Sequence, residues 1–189
     1  MGKLVVTEFV TLDGVFQDPG GSGEFDRRGW SFKFNRGPEG DKFKLDELTA
    51  AEAMLLGRIT YEGFAQAWPS IKDDVGFADK MNNLPKYLVS TTLDHGTWNN
   101  TTVIRANVPE EVRKLKEAVE GDILIHGSGR LVNSLMPHNL IDEYHLMVYP
   151  IVLGAGKRLF SDTNAPTSLR LVDTTKLGDI VVLTYQPQT

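Results

Sequence analysis

Short apolar runs alternate along this chain with segments whose apolar residues have helical spacing. Runs rich in β-branched and aromatic residues predict strands at 4–10, 53–57, 85–90, 102–105, 123–125 and 143–152. Helices are predicted over 41–51, 109–119 and 131–136, with a further helix start after Gly57. A hairpin is predicted from 169–174 and 179–186, with its turn near 176–178. We therefore predict an α/β fold with a largely parallel sheet and an antiparallel edge.

A long loop is predicted over residues 15–40, where glycine and proline recur. It carries five aromatic residues: Phe16, Phe25, Trp30, Phe32 and Phe34. Loops of this length in compact domains are often functional. The aromatic side chains either cover a flat ligand or pin the loop to the core, and the residues alone leave both interpretations open.

Residues 122–132 run from an apolar strand through a glycine-rich turn into a helix. Gly127 and Gly129 allow a ligand to approach the backbone closely, and the helix that begins near Arg130 turns its free N–H groups toward it. A phosphate suits this geometry, although an ordinary strand-to-helix turn also needs glycines. The segment 57–64 repeats the pattern, so the chain offers two candidate phosphate sites.

The composition favours one domain over residues 1–189, because the 41% hydrophobic content supports a full core and no linker divides the chain. The net charge of −5, with Lys and Arg scattered, argues against nucleic-acid and membrane partners. Zero cysteines exclude disulfides and thiolate catalysis, and the four histidines lack metal-ligand spacing, so no metal site is predicted. With no signal peptide or membrane-length apolar run, we expect a cytoplasmic protein.

Five segments carry a family resemblance in the same order along the chain. They are Thr11-Leu12-Asp13-Gly14, residues 55–62, residues 86–92, residues 125–131, and residues 140–144 running on to 150–160. Together they make the chain similar to the dihydrofolate reductase fold, in particular to the C-terminal reductase domain of riboflavin biosynthesis. The resemblance implies a three-layer fold with a mostly parallel sheet of about eight strands and a C-terminal antiparallel hairpin. It also implies NADPH as hydride donor and a flat nitrogen heterocycle as substrate.

The resemblance assigns the first cofactor-binding residues to the start of the helix after Gly57. Gly57, Arg58 and Thr60 would bind phosphates, and Arg58 would face the 2′-phosphate that distinguishes NADPH from NADH. An arginine fork suits a phosphate, although an exposed arginine is also an ordinary surface charge.

Two further segments are assigned to the cofactor in the same way. The hydroxyls of Ser90, Thr91 and Thr92 would bond the adenosine 2′-phosphate, or would cap a loop. Residues Gly127, Ser128, Gly129 and Arg130 would lie against the pyrophosphate and nicotinamide. In dihydrofolate reductases two adjacent glycines of this turn are joined by a cis peptide; here Ser128 is the second residue, which leaves the geometry of this peptide open.

Two carboxylates are the candidate catalytic residues. An alignment from Gly57 places Asp41 where dihydrofolate reductases carry the acid that bonds the pterin, and a carboxyl in an apolar pocket can help supply a proton. The alternative for Asp41 is a helix-start charge. Asp13 would line the site beneath the nicotinamide, or would form a turn with Gly14.

Residues Val15-Phe16-Gln17 depart from the riboflavin-type reductases, which carry a basic residue and a Ser/Thr-rich segment after Leu-Asp-Gly. The departure counts against a phosphorylated ribosyl-pyrimidine substrate. The sequence thus predicts an NADPH-dependent reductase of a planar heterocycle, with a riboflavin-pathway reductase and a non-catalytic nucleotide-binding module as alternatives. The riboflavin-type relatives make a homodimer plausible.

Overall fold

A computed structural model of the protein describes residues 1–160, 162 and 165–188. The strands within these residues are β1 Leu4–Thr11, β2 Ala51–Gly57, β3 Lys86–Val89, β4 Thr101–Ile104, β5 Asp122–Ile125, β6 Glu143–Tyr149, β7 Leu169–Leu177 and β8 Ile180–Pro187. The α-helices are α1 Gly37–Ala50, α2 Arg58–Ala67, α3 Phe77–Asn83, α4 Val108–Ala118 and α5 Gly129–Leu135. Short 3₁₀ turns occur at Trp30–Lys33, Trp68–Ser70 and Met136–His138.

All eight strands belong to one sheet in the order β4-β3-β2-β5-β1-β6-β8-β7. The six strands from β4 to β6 are parallel to their neighbours, whereas β8 is antiparallel to β6 and to β7. This arrangement confirms the predicted parallel sheet with an antiparallel C-terminal hairpin.

Helices cover both faces of the sheet. Residues of α4 and α5 pack with one set of alternating strand residues that includes Leu4, Val6, Leu55 and Ile123. The opposite set, with Val5, Leu56 and Leu124, packs with residues of α1, α2 and α3. Successive side chains of a strand point to opposite faces, so these strands are apolar on both sides and lie in the middle of three layers.

The first helix begins at Gly37, four residues before the predicted start at Asp41. The side chain of Asn35 accepts a hydrogen bond from the N–H of Gly37 (2.8 Å), and Pro38 occupies the first turn. The prediction of loop up to residue 40 was wrong here, because Gly-Pro marks a helix start as well as a loop.

Helix α3 was not predicted, because its seven residues are too few to show a helical period. The carboxylate of Asp73 accepts hydrogen bonds from the N–H groups of Phe77 (2.9 Å) and Ala78 (2.6 Å) at its start. The other boundaries differ modestly: β2 begins two residues before its predicted start, β6 ends at Tyr149, and the hairpin turn lies at 178–179.

A buried ionic network joins α1 to β1 and β6. Lys44 Nζ lies 2.5 Å from the carboxylate of Glu47 and donates to Thr7 Oγ1 (2.6 Å). The two ring nitrogens of His145 face carboxylates, Nδ1 that of Glu47 (2.6 Å) and Nε2 that of Glu143 (2.7 Å). Burial alone lowers the pKa of His145, but hydrogen bonds to both carboxylates outweigh it and raise the pKa.

His145 makes the stability of the protein depend on pH. Its raised folded pKa means that its contribution to the free energy of unfolding is fully present below about pH 6.5, the unfolded value, and is lost as pH rises through the folded pKa. We expect the His145→Gln variant to be destabilised more at pH 6 than at pH 9 in urea unfolding. The exposed His138, changed to Gln, is the control, and an equal loss at both pH values in His145→Gln would contradict the assignment.

The described residues contain neither a candidate membrane-spanning helix nor a candidate metal cluster. No helix among them is both long enough and apolar enough to cross a bilayer. Residues 1–160, 162 and 165–188 also contain no group of three or more His, Asp or Glu side chains arranged to hold a metal ion.

Candidate functional site

The carboxyl ends of β2 and β5 meet where the winding of the sheet changes direction. From β2 the chain passes outward through α2 and α3 to β3, whereas from β5 it passes through α5 the opposite way, to β6. Ligands of open α/β sheets bind in the crevice at such a point. Gly57 ends β2 and Gly127 follows shortly after β5, so both glycine motifs of the sequence border this crevice.

Gly57 is in direct contact with the Gly127–Ser128 peptide. The N–H of Gly57 donates to the carbonyl of Gly127 (3.1 Å). A Cβ on Gly57 would lie 2.4 Å from Ser128 Oγ and 2.9 Å from Ser128 N, so a side chain has no room there. The Gly127–Ser128 peptide is cis, as in the dihydrofolate reductases that the sequence resembles.

Gly127 has a φ of +111° and lies beside Thr60 and Glu8. A Cβ at position 127 would lie 2.7 Å from Thr60 Oγ1 and 3.4 Å from Glu8 Oε1. Glycine is required at position 127 for two reasons. The backbone conformation disfavours other residues, and two polar side chains already border the place that a Cβ would take. The structure therefore brings together the predicted Gly57, Thr60 and Gly127.

Glu8 carries a buried carboxyl group on β1, beside Gly127. The residue is 7% exposed, and burial raises its pKa to about 8 although the positive charge of Lys44 opposes the shift. Its Oε1 has no hydrogen-bond partner among the described residues. Glu8 is thus mainly protonated at pH 7 and has an unused polar atom next to the crevice.

His126 precedes Gly127 and carries a second buried atom without a partner in the described part of the chain, Nε2. Its ring lies against Phe64 of α2, with 5.6 Å between the ring centroids. Burial lowers the pKa of His126 to about 3. The imidazole is therefore neutral and offers one donor and one acceptor.

Arg58 and Arg130 lie at the surface around the crevice. Arg58, the first residue of α2, has a side chain that is 43% exposed and pairs with Glu62 one turn later (2.9 Å). Arg130 is exposed in the first turn of α5. Their positions at two helix starts are compatible with phosphate contacts, and their roles stay predictions.

The predicted Ser90, Thr91 and Thr92 follow β3, the neighbour of β2. Ser90 Oγ accepts hydrogen bonds from the N–H groups of Thr92 (3.2 Å) and Leu93 (3.1 Å), so it caps the turn after the strand. The carbonyl of Thr91 accepts a hydrogen bond from Arg105 (3.2 Å). The segment lies at the same sheet edge as Gly57, and phosphate contacts by its hydroxyls stay a prediction.

Two side chains contact the start of α5: Ser128, which directly precedes the helix, and Phe16, from the loop after β1. Ser128 Oγ accepts from the N–H of Leu131 (3.3 Å) and caps the helix. A Cβ on Gly129 would lie 2.7 Å from the ring of Phe16. The close contact explains the second glycine of the motif and places Phe16 at the rim of the crevice.

The other loop aromatics mostly pin the loop. Trp30 is fully buried, and its ring lies 5.4 Å from that of Tyr149, centroid to centroid. Phe34 also packs on Tyr149 (6.0 Å). Phe32 is the exception, with 78% of its surface exposed.

Asp13 ties the end of β1 to the loop after β6. Its carboxylate accepts hydrogen bonds from Thr11 Oγ1 (2.6 Å) and from the N–H groups of Leu153 (3.1 Å) and Gly154 (2.8 Å). The hydrogen bond from Thr11, helped by these backbone donors, lowers the pKa of Asp13 to about 2. Such a carboxylate is ionised and organises two loops, and its catalytic role stays a prediction.

Asp41 lies on the outer surface of α1, with a side chain that is 69% exposed and paired with Arg36 (2.6 Å). Arg36 in turn lies over the ring of Phe9, 5.6 Å from its centroid. The structure therefore places Asp41 next to an aromatic cluster but not inside a buried pocket, and its catalytic role also stays a prediction.

The sequence did not lead us to Glu8 or His126 as site residues. Glu8 interrupts the apolar strand Leu4–Thr11, and a lone acid in a buried strand was the available signal. His126 directly precedes the glycine motif, where a polar side chain at the end of a buried strand lies at the ligand edge of a parallel sheet.

The sheet order, the helices on both faces and the crevice between β2 and β5 define an α/β protein of the dihydrofolate reductase type. The chain belongs to the RibD C-terminal domain family, whose profile matches residues 2–183. It is 30% identical over 183 residues to the uncharacterized protein YyaP of Bacillus subtilis (strain 168), spanning 95% of this chain and 92% of YyaP. It is 31% identical over 183 residues to the uncharacterized protein YwjB of the same organism, spanning 97% of each chain.

Solved structures share the fold at lower sequence identity. A protein of Shewanella sp. PV-4 named "Putative riboflavin biosynthesis protein" gives a TM-score of 0.79 at 18% identity, covering 99% of both chains. Dihydrofolate reductase of Enterococcus faecalis, in complex with NADP(H) and RAB-propyl, gives 0.60 at 17% identity, covering 100% of this chain and 98% of that one. A pyrimidine reductase-like protein of Corynebacterium diphtheriae gives 0.67 at 13% identity, covering 100% and 92%.

Proposed function

We propose that this protein is an NADPH-dependent reductase that transfers hydride to a small planar nitrogen heterocycle. The observation that carries the proposal is the contact between Gly57 and the Gly127–Ser128 peptide in the crevice between β2 and β5. Two glycines that leave no room for side chains expose backbone groups to a ligand where open α/β sheets bind nucleotides.

The residues around this contact fit the cofactor. Helix α2 begins directly after Gly57, and no side chain of the described residues caps its first turn, so its N–H groups are available to a phosphate. Thr60 adds a hydroxyl beside Gly127, and Arg58 adds a charged fork at the surface. The structurally similar dihydrofolate reductase in complex with NADP(H) and the structurally similar pyrimidine reductase-like protein support this choice of cofactor.

The bound NADPH would supply the hydride, and the protein would supply orientation and exclusion of water. Phe16, which packs against the start of α5, covers one side of the crevice. Apolar rings such as Phe16 suit a flat heterocycle, while Glu8 and His126 are polar groups near the same turn. The segment Val15-Phe16-Gln17 lacks the basic residue of riboflavin-type reductases, so we favour a substrate without a ribose phosphate.

Cofactor preference tests the proposal. We expect the protein to bind NADPH more tightly than NADH, measured by titration with nicotinamide fluorescence. The Arg58→Ala variant should lose about tenfold in NADPH affinity and little in NADH affinity, because a charge-assisted hydrogen bond to the 2′-phosphate contributes about 1.5 kcal/mol or more.

Arg113→Ala is the matched control for this experiment. Arg113 has a side chain that is 47% exposed and pairs with Glu110 on α4, much as Arg58 pairs with Glu62 on α2. It should leave both affinities unchanged. Equal losses of NADPH and NADH affinity in Arg58→Ala would contradict the assignment of Arg58. Binding of neither cofactor to the unaltered protein would favour a binding module for another ligand.

A further inference from the structure

One of the buried side-chain atoms that lack a partner among the described residues adjoins the turn at Gly127. Glu8 Oε1 lies 3.4 Å from where a Cβ of Gly127 would be. Buried polar atoms nearly always have a hydrogen-bond partner, and an exception calls for an explanation. A ligand bound at this turn would supply the missing partner of Glu8.

We propose that Glu8 is a ligand-binding residue whose carboxylic acid group donates a hydrogen bond to a phosphate oxygen of the dinucleotide at Gly127. The inference rests on the proposed function, because the dinucleotide is the ligand. Glu8 Oε1 and Thr60 Oγ1 both lie beside the side of Gly127 from which a side chain would project, at 3.4 and 2.7 Å from the Cβ position. An anionic oxygen that approaches the turn near these two groups would accept from the acid and the hydroxyl, close to the start of the ten-residue helix α2.

The charged groups around Glu8 are compatible with a neutral acid. Lys44 on α1 acts on it and favours the ionised form, but burial outweighs this effect and holds the pKa at about 8. His126 is neutral, as its lowered pKa shows. On β6 the residue beside Glu8 is Leu146, and α5 contributes only the exposed Arg130 near its start. Glu8 thus enters the site as a hydrogen-bond donor at pH 7.

Proton linkage follows from this arrangement. A phosphate oxygen binds to the protonated acid and is repelled by the carboxylate, so bound dinucleotide holds the proton on Glu8. Below pH 7 Glu8 is already protonated and affinity does not depend on it. Above the pKa of about 8 the complex must take up a proton, and affinity falls as pH rises.

Calorimetric titration with NADPH at pH 8, in two buffers of different ionisation enthalpy, measures this uptake. We expect the full-length protein to take up about half a proton per NADPH, as for a group at its pKa. Glu8→Gln keeps a neutral donor, so its affinity should stay within about threefold while the uptake disappears. Glu8→Leu loses the donor and should bind about tenfold more weakly.

Glu117→Gln is the control, since it makes the same chemical change at an exposed position on α4 and should keep the uptake. Carbon NMR of the Glu8 carboxyl in the unaltered protein gives a measurement that needs no variant: NADPH should raise its pKa. Equal proton uptake in the unaltered protein and in Glu8→Gln, with NADPH bound to both, would overturn the role of Glu8.

The proposed function and this inference fail in different ways. If the unaltered protein binds no NADPH, the proposed cofactor is wrong, and the same titration with inorganic pyrophosphate then decides about Glu8. Pyrophosphate binding with proton uptake that Glu8→Gln lacks would support an anion site at Gly127. Absence of pyrophosphate binding would refute it.

Discussion

The Lys44→Met variant is expected to lose about 3 kcal/mol of unfolding free energy, because it leaves His145 as the remaining charged partner of the buried Glu47 carboxylate. The side chains of Lys44 and Glu47 are only 9% and 4% exposed, and they lie 2.5 Å apart. Burial raises the pKa of Glu47, but the Lys44 charge and the hydrogen bonds of the network outweigh it and hold the pKa at about 2. Urea unfolding at pH 7 measures the loss.

Lys42→Met provides the matched comparison, since it is the same substitution two residues earlier on the same helix. Lys42 pairs with Asp46, but the two side chains are 72% and 62% exposed. Exposed pairs of this spacing contribute about 0.3–0.5 kcal/mol. If both variants lost less than about 1 kcal/mol, the network would be unimportant for the docking of α1 on β1.

The Gly57→Ala variant is expected to lose about 3 kcal/mol of stability, together with the NADPH affinity that we propose. The backbone of Gly57, with φ −75° and ψ 159°, is one that alanine adopts readily. The cost arises from space: the new methyl would lie 2.9 Å from the backbone nitrogen of Ser128, which cannot rotate away. Relief of the clash must therefore move the backbone of residue 57 and the Gly127–Ser128 peptide apart.

Gly63→Ala separates this effect from a general response to added methyl groups. Gly63 lies in the interior of α2, where its Cβ would meet only Ser22 Oγ at an ordinary 3.5 Å. Alanine there should stabilise the protein by about 0.5–1 kcal/mol through helix propensity. Thermal unfolding and NADPH titration of both variants give the comparison, and a stable Gly57→Ala variant with unchanged nucleotide affinity would refute the role of the glycine.

The fold was largely predictable from hydrophobic spacing. Strands that are buried on both faces stand out as short apolar runs, such as Leu4-Val5-Val6 at the start of β1. Helix α1 was predicted except for its first turn, but its contacts were not, because Lys44 and Glu47 are polar residues on its buried side. Hydrophobic periodicity identifies an inward face only when that face is apolar. The ionic network therefore could not be predicted from the sequence.

Only the local part of the candidate site could be predicted from the sequence. The motifs at Gly57 and Gly127 mark close backbone approaches locally, but their mutual contact depends on β2 and β5 being neighbours. Two strands, β3 and β4, lie between them in the chain, and spacing alone does not reveal such an insertion. Glu8 could have been singled out as an acid within an apolar strand, although its unpaired oxygen is visible only in three dimensions.

The position of β5 between β2 and β1 has a consequence for synthesis of the chain. As the polypeptide leaves the ribosome, β1 and β2 emerge long before residues 122–125, and both lack their shared neighbour until β5 arrives. Until then two apolar strands present open edges, the state in which nascent chains are most prone to associate with one another. The strand that completes the crevice beside β2 is thus also the one that ends this exposure.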